Sequence, residues 1–398
     1  MSIRFLRHFS YSIVCPFAIC YPAKHPMTAP EKLKKIRDEL KQLFLERADL
    51  IDGALAALLS AQHLLIVGPP GTAKSMLADE LCRRIEGANY FQWLLTRFTT
   101  PEEVFGAVSL KALEQDDYRR VTTRKLPEAH IAFLDEIFKA NSSILNSILS
   151  LINERLFHNG KEIVKVPLLT LFGASNELPE EEELTALYDR FLLRFVVGYI
   201  SEDFRFLRML EAQSAPERTI LTLAELNELQ QLARNVAIPP HVYRSIADIR
   251  RELNKKNIQA SDRRYRQCLG LLQAYAFIEG EHEVYEKHLL FLEHVLWRDP
   301  AEHDAVRTTI REILLGYEEE ITELLYESRE IRESALQTSR SSDERARALI
   351  ELHTKLRNIL VKVDQIMDKA KRMGRPLDRV DKARGEIEQL QKDLLEQF

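Results

Sequence analysis

The stretch Gly68-Pro69-Pro70-Gly71-Thr72-Ala73-Lys74-Ser75-Met76 decides the fold class of this 398-residue chain. An apolar run comes directly before it, and a helical stretch that ends near Ile85 comes directly after it. Glycines between a strand and a helix let the backbone curl so that its N–H groups face a phosphate. In this pattern Lys74 reaches the β and γ phosphates, and the Ser75 hydroxyl binds Mg²⁺. We therefore predict that residues 68–76 bind a nucleoside triphosphate, helped by the N-terminus of the following helix.

One position of this loop departs from the usual pattern. Ala73 stands where glycine normally precedes the lysine. Alanine is the smallest replacement for glycine, so we expect the loop to keep its shape.

Short apolar runs alternate with helical stretches from residue 63 to about residue 200. The runs are His63–Val67, Tyr90–Leu95, Ile131–Leu134, Leu168–Ala174 and Phe195–Ile200. Runs as apolar as these fit strands that are covered on both faces. Because they alternate with helical stretches, the pattern predicts an α/β domain with a mostly parallel sheet.

The third apolar run ends in two carboxylates, Asp135 and Glu136. At the end of a strand, Asp135 would hold magnesium, directly or through water, beside Ser75. Glu136 would orient and deprotonate the attacking water. An arbitrary Asp-Glu pair is usually a solvated helix start, but this pair ends an apolar strand downstream of a phosphate loop. It therefore predicts ATP hydrolysis, in which positioning and charge neutralisation carry the catalysis.

Composition narrows the class of protein and its compartment. Hydrophobic residues make up 45% of the chain and charged residues 29%, the balance of a helix-rich globular protein. The formal net charge of −5 gives no reason to expect non-specific binding to nucleic acid or anionic lipid. The four cysteines are scattered without metal-ligand or disulfide spacing, which indicates a reducing cytoplasm.

The first 26 residues differ from the rest of the chain. Two arginines precede an apolar stretch from Phe9 to Tyr21, a pattern that fits a signal peptide. Pro16 interrupts the stretch, however, and the stretch is too short to span a bilayer. We expect Met27 to be the true first residue and residues 1–26 to be a non-native or disordered extension.

Periodicity divides the remainder into three units. Residues 27–200 are predicted to form the nucleotide-binding domain, residues 201–300 a smaller all-α domain, and residues 301–398 a helical unit. In the last unit we expect one helix from Ala301 to Gln337, followed by a helix with an apolar seam and a return helix to Phe398. The seam has heptad spacing and consists of Leu349, Leu352, Leu356, Ile359, Val363, Ile366, Ala370 and Met373. We favour an intramolecular helical hairpin that closes on the first helix, with a coiled coil to a second protein as the alternative.

The order of these motifs resembles the AAA+ superfamily and, within it, the MoxR family, most closely its regulatory ATPase variant A (RavA) branch. The resemblance covers residues 31–283 well and the terminal helices less securely. It implies a P-loop NTPase core with a parallel sheet, an all-α lid domain and a C-terminal helical bundle. It further implies ATP and Mg²⁺ as cofactors, a hexameric homo-oligomeric ring, chaperone-like remodelling of protein partners and a von Willebrand factor A-domain partner.

Four polar residues acquire expected roles from this resemblance. Asn176 ends a segment that resembles sensor 1, where a polar side chain touches the γ-phosphate or its water; helix capping is the alternative. Arg190 lies where similar proteins carry an arginine finger for the neighbouring subunit, and Arg194 is a second choice for that role. Either arginine could instead form a structural ion pair. Arg263 resembles sensor 2, which would place it over the phosphates, although Arg264 and Arg266 lie close by.

Two insertions complete the resemblance. Residues 99–127 resemble the helix-2 insert, and residues 156–164 read as a β-hairpin around Asn159-Gly160. In a ring these elements would touch a client, while the alternative is a surface hairpin without contacts. RavA-like proteins carry a small β-rich domain within their terminal helices, but here only residues 339–343 occupy that junction. Partner binding through such a domain is therefore not expected.

Three other functions share the same core. A nucleic-acid motor of the same clade would need basic residues on the hairpin, and here Lys161 and Lys165 are balanced by Glu154 and Glu162. A function as a magnesium-chelatase-like subunit remains an alternative. A nucleotide-dependent scaffold that does not hydrolyse ATP is disfavoured, because the phosphate loop, the carboxylate pair (the Walker motifs) and the sensor residues are complete. Five histidines lie on polar helical stretches, and we expect them to be solvated: His241, His282, His288, His294 and His303.

Overall fold

The fold is taken from a computed structural model of the chain. The structure describes residues 27–177, 187–211, 218–336, 342–373 and 377–395. The predicted extension over residues 1–26 lies outside the described residues. Among the described residues, no helix combines the length and the apolar composition that a membrane crossing requires.

A five-stranded parallel sheet forms the centre of the first domain. Its strand order is β3-β4-β7-β1-β8, and its strands are β1 (Leu64–Val67), β3 (Tyr90–Leu94), β4 (Ile131–Asp135), β7 (Thr170–Ser175) and β8 (Leu193–Val196). The side chains of β1 and β7 are buried along their whole length, as expected of strands with helices on both faces. The predicted α/β architecture is confirmed, and the last strand begins two residues earlier than its apolar run.

Helices cover both faces of this sheet. They are α1 (Ala29–Leu43), α2 (Ala48–Ser60), α3 (Lys74–Cys82) and α6 (Ser142–Glu154). Thr28 and Glu31 form a capping box at the start of α1, and the Asn141 side chain caps α6, so each helix begins where its free N–H groups find an acceptor. Helix α6 then runs from the carboxyl end of β4 back to the amino end of the sheet.

The two predicted insertions dock against each other. The first contains the short helices α4 (Pro101–Phe105) and α5 (Leu110–Leu113), and the second is the antiparallel hairpin β5 (Leu156–Asn159) and β6 (Glu162–Lys165). The Asn159 side chain accepts from the Arg120 N–H at 2.6 Å and donates to the Arg120 carbonyl at 3.2 Å. The hairpin is therefore fixed to the first insertion, and contact of the hairpin with a client stays a prediction.

The lid domain follows the sheet. It contains α7 (Asp203–Glu211), α8 (Leu223–Arg234), α9 (Pro240–Lys255), α10 (Asp262–Ile278), α11 (Glu286–Leu289) and α12 (Pro300–Leu314). A two-stranded parallel pairing of β2 (Ile85–Glu86) with β9 (Leu221–Thr222) joins the lid to the first domain. Beside it, buried Arg84 contacts Glu39 and Glu80, and Arg218 contacts Glu80 at 2.8 Å. The half-exposed Arg218 joins the start of the lid to α3, and Thr219, which donates to Glu39, joins it to α1.

The terminal helices form a separate three-helix bundle: α13 (Gly316–Leu336), α14 (Ser342–Met373) and α15 (Asp378–Leu395). Its core contains the predicted seam residues Leu356, Ile359, Val363 and Ile366, packed against Ile321 and Leu324 of α13 and Val380 and Ile387 of α15. The prediction that the seam packs within the chain is therefore confirmed. The side chains of the predicted seam residues Leu349 and Met373 are not among those that the structure describes. The expected single helix from Ala301 is divided at Gly316, because α12 buries Val306 and Ile310 in the lid core. The bundle accordingly begins at Gly316 and not at Ala301.

Candidate nucleotide site

The phosphate loop lies at the carboxyl edge of the sheet, between β1 and α3. A Cβ at Gly68 would overlap the Val197 carbonyl oxygen, so only glycine fits there. Gly71 has a φ of +80° and Ala73 a φ of +62°. The loop thus has the predicted curl, but Ala73 adopts a left-handed conformation that costs an L-residue about 1 kcal/mol or more.

Lys74 is buried within this loop. Its ammonium group donates to the carbonyl oxygens of Gly68 at 2.7 Å and Pro69 at 2.9 Å. Burial lowers the pKa of Lys74, while the charges of Asp135 and Glu136 oppose that shift. The lysine is therefore held by weak main-chain acceptors, and a phosphate oxygen would be a stronger, charge-assisted acceptor for it.

Ser75 and Asp135 are the predicted magnesium ligands. Ser75 is the second residue of α3, and Asp135 is the last residue of β4. Both therefore lie next to Lys74 at the carboxyl edge of the sheet. Among the described residues, no group of three or more His, Cys, Asp or Glu side chains could hold a metal ion. A hydroxyl and one carboxylate fit Mg²⁺, which keeps several waters and takes phosphate oxygens as further ligands.

Glu136 is held from two sides. Its Oε1 accepts from the Asn176 amide nitrogen at 2.6 Å, and its Oε2 lies 3.3 Å from the Lys139 ammonium. Asn176 follows β7, which pairs with β4, so the two side chains meet because neighbouring parallel strands end at one edge. The structure thus brings Asn176 to the carboxylate that would activate water, while the segment that this side chain could cap instead lies outside the described residues.

Arg190 and Arg263 lie at the opposite edge of the sheet. Arg190 precedes the amino end of β8, and Arg263 donates to the Asn153 side chain, at the end of α6, at 2.9 Å. Both arginines line a cavity of about 160 Å³ that also contains Arg155 and His63. Neither guanidinium can therefore reach the phosphate loop of its own subunit. The expectation that Arg263 lies over the phosphates of its own subunit disagrees with this fold, because the lid helix starts at the amino edge.

Arg194 is a structural residue. Its side chain is 1% exposed, donates to the carbonyl oxygens of Trp297 and of Tyr188 and lies 3.9 Å from the centre of the Tyr188 ring. Burial, followed by the charge of Arg264, lowers its pKa to about 9. A side chain enclosed in this way has no path to a neighbouring subunit, so Arg194 is excluded as a finger.

Arg264, the neighbour of Arg263, points inwards. It is 2% exposed and donates to the carbonyl oxygens of Leu192 at 2.6 Å and Val295 at 2.9 Å. Arg264 therefore fastens the lid to the segment that carries Arg190, while Arg263 on the same helix stays exposed.

A cavity of about 500 Å³ lies beside the phosphate loop and was not predicted from the sequence. Val197, which touches Gly68, and Gly198 line it from the core; Arg47 lines it from the start of α2; His294 and His303 line it from the lid. Burial lowers the pKa of His294 to about 3, and its ring lies 4.6 Å from that of Phe195. The expectation of solvated histidines was wrong for His294 and also for His288, which is fully buried.

Comparison with known proteins gives the family context. Residues 31–234 match the family model described as the MoxR domain in the MoxR-vWA-beta-propeller ternary systems. Residues 241–310 match an AAA lid domain. The phosphate loop, both carboxylates, Asn176 and Arg190 fall within the first match, and Arg263 falls within the second.

The similarity to two curated relatives extends over most of the chain. Two uncharacterised proteins of Methanocaldococcus jannaschii are 45% and 39% identical, covering 73% and 90% of this chain and 76% and 98% of their own lengths. The chaperone MoxR1 of Mycobacterium tuberculosis is 28% identical over 50% of this chain and 53% of its own. The crystal structure of a putative ATPase from Cytophaga hutchinsonii has a TM-score of 0.58 at 15% identity, covering 72% of this chain and 94% of that one. That structural likeness concerns the fold alone.

Proposed function

The chain belongs to the MoxR family of AAA+ ATPases, and we propose that it couples ATP hydrolysis in a homo-oligomeric ring to the remodelling or activation of a protein partner. The RavA branch stays a prediction, because the matching family model describes the MoxR domain of ternary systems with von Willebrand factor A-domain proteins and β-propellers and does not name that branch.

One observation carries the proposal: the groups that hydrolysis needs lie at two opposite edges of one sheet. Lys74, Asp135 and Glu136 lie at the carboxyl edge, whereas Arg190 and Arg263 lie at the amino edge. A transition state with charge on its equatorial oxygens needs both sets. A single subunit cannot bring them together, but a ring in which the amino edge of one copy meets the carboxyl edge of the next can do so.

At the carboxyl edge each residue has a distinct task. The curled backbone of residues 68–73 and the Lys74 ammonium bind the phosphates of ATP. Ser75 and Asp135 would hold Mg²⁺, which neutralises charge on the β and γ phosphates when it is bound. Glu136 accepts a proton from the attacking water. Because Asn176 donates to Glu136 at 2.6 Å, it fixes the orientation of that carboxylate.

We assign the nucleoside of ATP to the 500 Å³ cavity beside the loop. Val197 lines the cavity and also packs against Gly68 of the loop. The cavity offers the neutral imidazole of His294 and the aromatic ring of Phe195. Aromatic faces next to a few polar groups are usual in small-molecule sites. Since the core lines one side and the lid the other, nucleotide occupancy would set the angle between the two domains.

The partner-binding face is assigned to the docked insertions. Large apolar side chains stay exposed on both, including Leu110 (77% exposed), Tyr118 and Ile163 (61%), although Asn159 holds the two insertions together. Exposed apolar clusters of this kind mark contact surfaces for other proteins. The matched family model comes from systems with von Willebrand factor A-domain proteins, so we propose a protein of that class as the partner. We place the protein in the cytoplasm, where ATP is supplied.

The experiment that tests the ring mechanism mixes two inactive variants. Arg190→Ala subunits keep an intact nucleotide site, and Glu136→Gln subunits keep an intact finger. We expect each variant alone to hydrolyse ATP about 10³-fold more slowly than the natural protein. In mixed rings some interfaces pair a good site with a good finger, so phosphate release should return in part.

Turnover per subunit should also rise with protein concentration as rings assemble, with sedimentation velocity reporting their size, which we expect to be a hexamer. If mixed rings form but restore no hydrolysis, Arg190 does not act on the neighbouring subunit and the proposed mechanism fails.

A further inference from the structure

The cavity at the amino edge contains a third arginine to which sequence reasoning gave no role. Arg155 follows α6, Arg190 precedes β8 and Arg263 begins α10, so three separate segments bring three guanidinium groups to one cavity of about 160 Å³. Asn153 of α6 and Gln267 of the lid helix α10 add polar side chains to the cavity wall. The convergence of cations on one enclosed space needs an explanation, because like charges repel.

The positive charge in this cavity is not balanced by the described residues around it. Asp189 lies 3.9 Å from Arg190 but is shared with Arg264, which it contacts at 3.4 Å. His63 contributes no negative charge: its Nδ1 accepts from the Leu171 N–H at 3.0 Å. Burial and then the charges of Arg155 and Arg263 hold the pKa of His63 well below its usual value. An anion would therefore be stabilised in this space.

Arg155 lines the cavity from the end of α6. The residue adopts a left-handed φ of +57° at the end of α6. Its Nη2 donates to the Ala61 carbonyl at 2.6 Å and lies 3.4 Å from that of Leu169. Its Nη1 is buried without a hydrogen-bond partner in the described part of the chain, as is the Nε of Arg190. Buried donors without acceptors are costly, so the protein satisfies neither guanidinium fully.

Burial lowers the pKa of Arg155 only to about 10. The side chain therefore stays charged near neutral pH. Planar guanidinium groups match the oxygens of a phosphoryl group, with which they form paired, charge-assisted hydrogen bonds.

We propose that Arg155, Arg190 and Arg263 form one phosphoryl-binding site at the amino edge, with Arg155 as its innermost ligand. The site would receive the terminal phosphate of ATP held by the adjacent subunit, and this assignment rests on the proposed function. Free inorganic phosphate shares the same chemistry and is the simpler probe. Arg155 thereby contributes to hydrolysis in the neighbouring subunit.

The first experiment measures phosphate binding by the full-length protein. Inorganic phosphate is titrated into the Lys74→Ala protein, whose phosphate loop is disabled, and its thermal unfolding is followed. We expect saturable stabilisation, with the apparent affinity reduced about 10-fold or more by an added Arg155→Gln change. Arg155→Lys keeps one charge and should weaken binding less, which keeps the test usable if the glutamine variant does not fold. Arg266→Gln, an exposed arginine on the same lid helix, should change nothing.

Equal phosphate affinity with and without Arg155, or no phosphate-dependent stabilisation of the Lys74→Ala protein, overturns the proposed site. The second experiment mixes Arg155→Gln subunits with Glu136→Gln subunits. Recovered hydrolysis supports an action of Arg155 on the neighbour. If Arg190→Ala is complemented but Arg155→Gln is not, the ring mechanism stands and this inference falls. If neither variant is complemented, the proposed function itself fails.

Discussion

The two edges of the central sheet are built from different kinds of sequence information. At the carboxyl edge, the residues that we propose to bind phosphate are one contiguous stretch, and Asp135 and Glu136 are adjacent in the chain. At the amino edge, the cavity takes its arginines from positions 155, 190 and 263. The first edge needs residues of one subunit only, whereas the second gathers three arginines around one cavity, with Asp189 shared between Arg190 and Arg264. The difference teaches that a site proposed to act on a neighbour can be recognised by cations that its own chain leaves without counter-charges.

The largest expected effect separates binding from chemistry at the carboxyl edge. Lys74→Ala should abolish ATP binding, because Lys74 meets phosphates that are already present in the ground state. Glu136→Gln should preserve ATP binding and lower hydrolysis about 10²- to 10⁴-fold, because Glu136 acts on the water. Nucleotide titration and phosphate release on both variants check this. Near-normal hydrolysis by Glu136→Gln would remove the assignment of this residue as the base.

The next prediction compares how Arg190 and Arg194 contribute to the free energy of unfolding. Arg194→Met should lower the free energy of unfolding by about 3 kcal/mol, because it leaves the buried Trp297 and Tyr188 carbonyls without a donor. The matched change Arg190→Met should leave that free energy within about 0.5 kcal/mol of the natural value while impairing hydrolysis. Urea unfolding of both proteins makes the comparison. Equal stability of the two variants would contradict the division into a structural and a functional arginine.

A smaller effect concerns His63 at the amino edge of the sheet and the dependence of stability on pH. His63 is buried and its folded-state pKa is depressed, so the unfolded chain binds more protons as the pH falls below about 6.5. The stabilising contribution of neutral His63 is complete above that pH and is lost as the pH decreases, by at most about 1.4 kcal/mol per pH unit. A glutamine can offer an acceptor to the Leu171 N–H and a donor to the Ile152 carbonyl, the two partners of His63, without titrating. Its stability should therefore fall less steeply between pH 6.5 and 5 than that of the natural protein.

Chemical denaturation across this pH range measures the slope for each protein. His158→Gln is the matched control, since His158 is exposed on β5 and its replacement should leave the slope unchanged. If the free energy of unfolding of His63→Gln falls with pH as steeply as that of the natural protein, then protonation of His63 does not account for the loss of stability in acid.

The smallest effect tests the one departure in the phosphate loop. Ala73 has a φ of +62°, which glycine adopts more easily than alanine. Ala73→Gly should therefore raise the free energy of unfolding by about 0.5 kcal/mol or leave it unchanged, since the flexibility that glycine adds to the unfolded chain offsets part of the gain. ATP affinity should stay within about 2-fold of the natural value, because the loop shape is already correct. A loss of affinity measured by nucleotide titration would show that the alanine side chain itself supports the loop.

Much of the fold could be read from local patterns. The apolar runs predicted the five sheet strands because a strand covered on both faces has no polar positions. The heptad seam predicted the terminal helices, and its residues Leu356 and Val363 are buried in the bundle. The predicted boundary between the lid and the terminal helices, at residue 300, differs from the structure. Helix α12 begins with the same capped, amphipathic pattern as a helix of the bundle, so its sequence does not show to which unit it belongs. Only packing shows that Val306 and Ile310 bury in the lid.

The candidate site divides in the same way. The sequence by itself determined Lys74, Ser75, Asp135 and Glu136, because a phosphate loop and a strand-end carboxylate pair each need a fixed local geometry that a short contiguous pattern encodes. Only the tertiary structure decided among the arginines. Arg190 and Arg194 are four residues apart and chemically identical, yet one lines a cavity and the other is enclosed by Tyr188 and Trp297. The physical reason is that a role in the neighbouring subunit depends on which edge a side chain reaches, and that follows from long-range packing of the sheet against the lid.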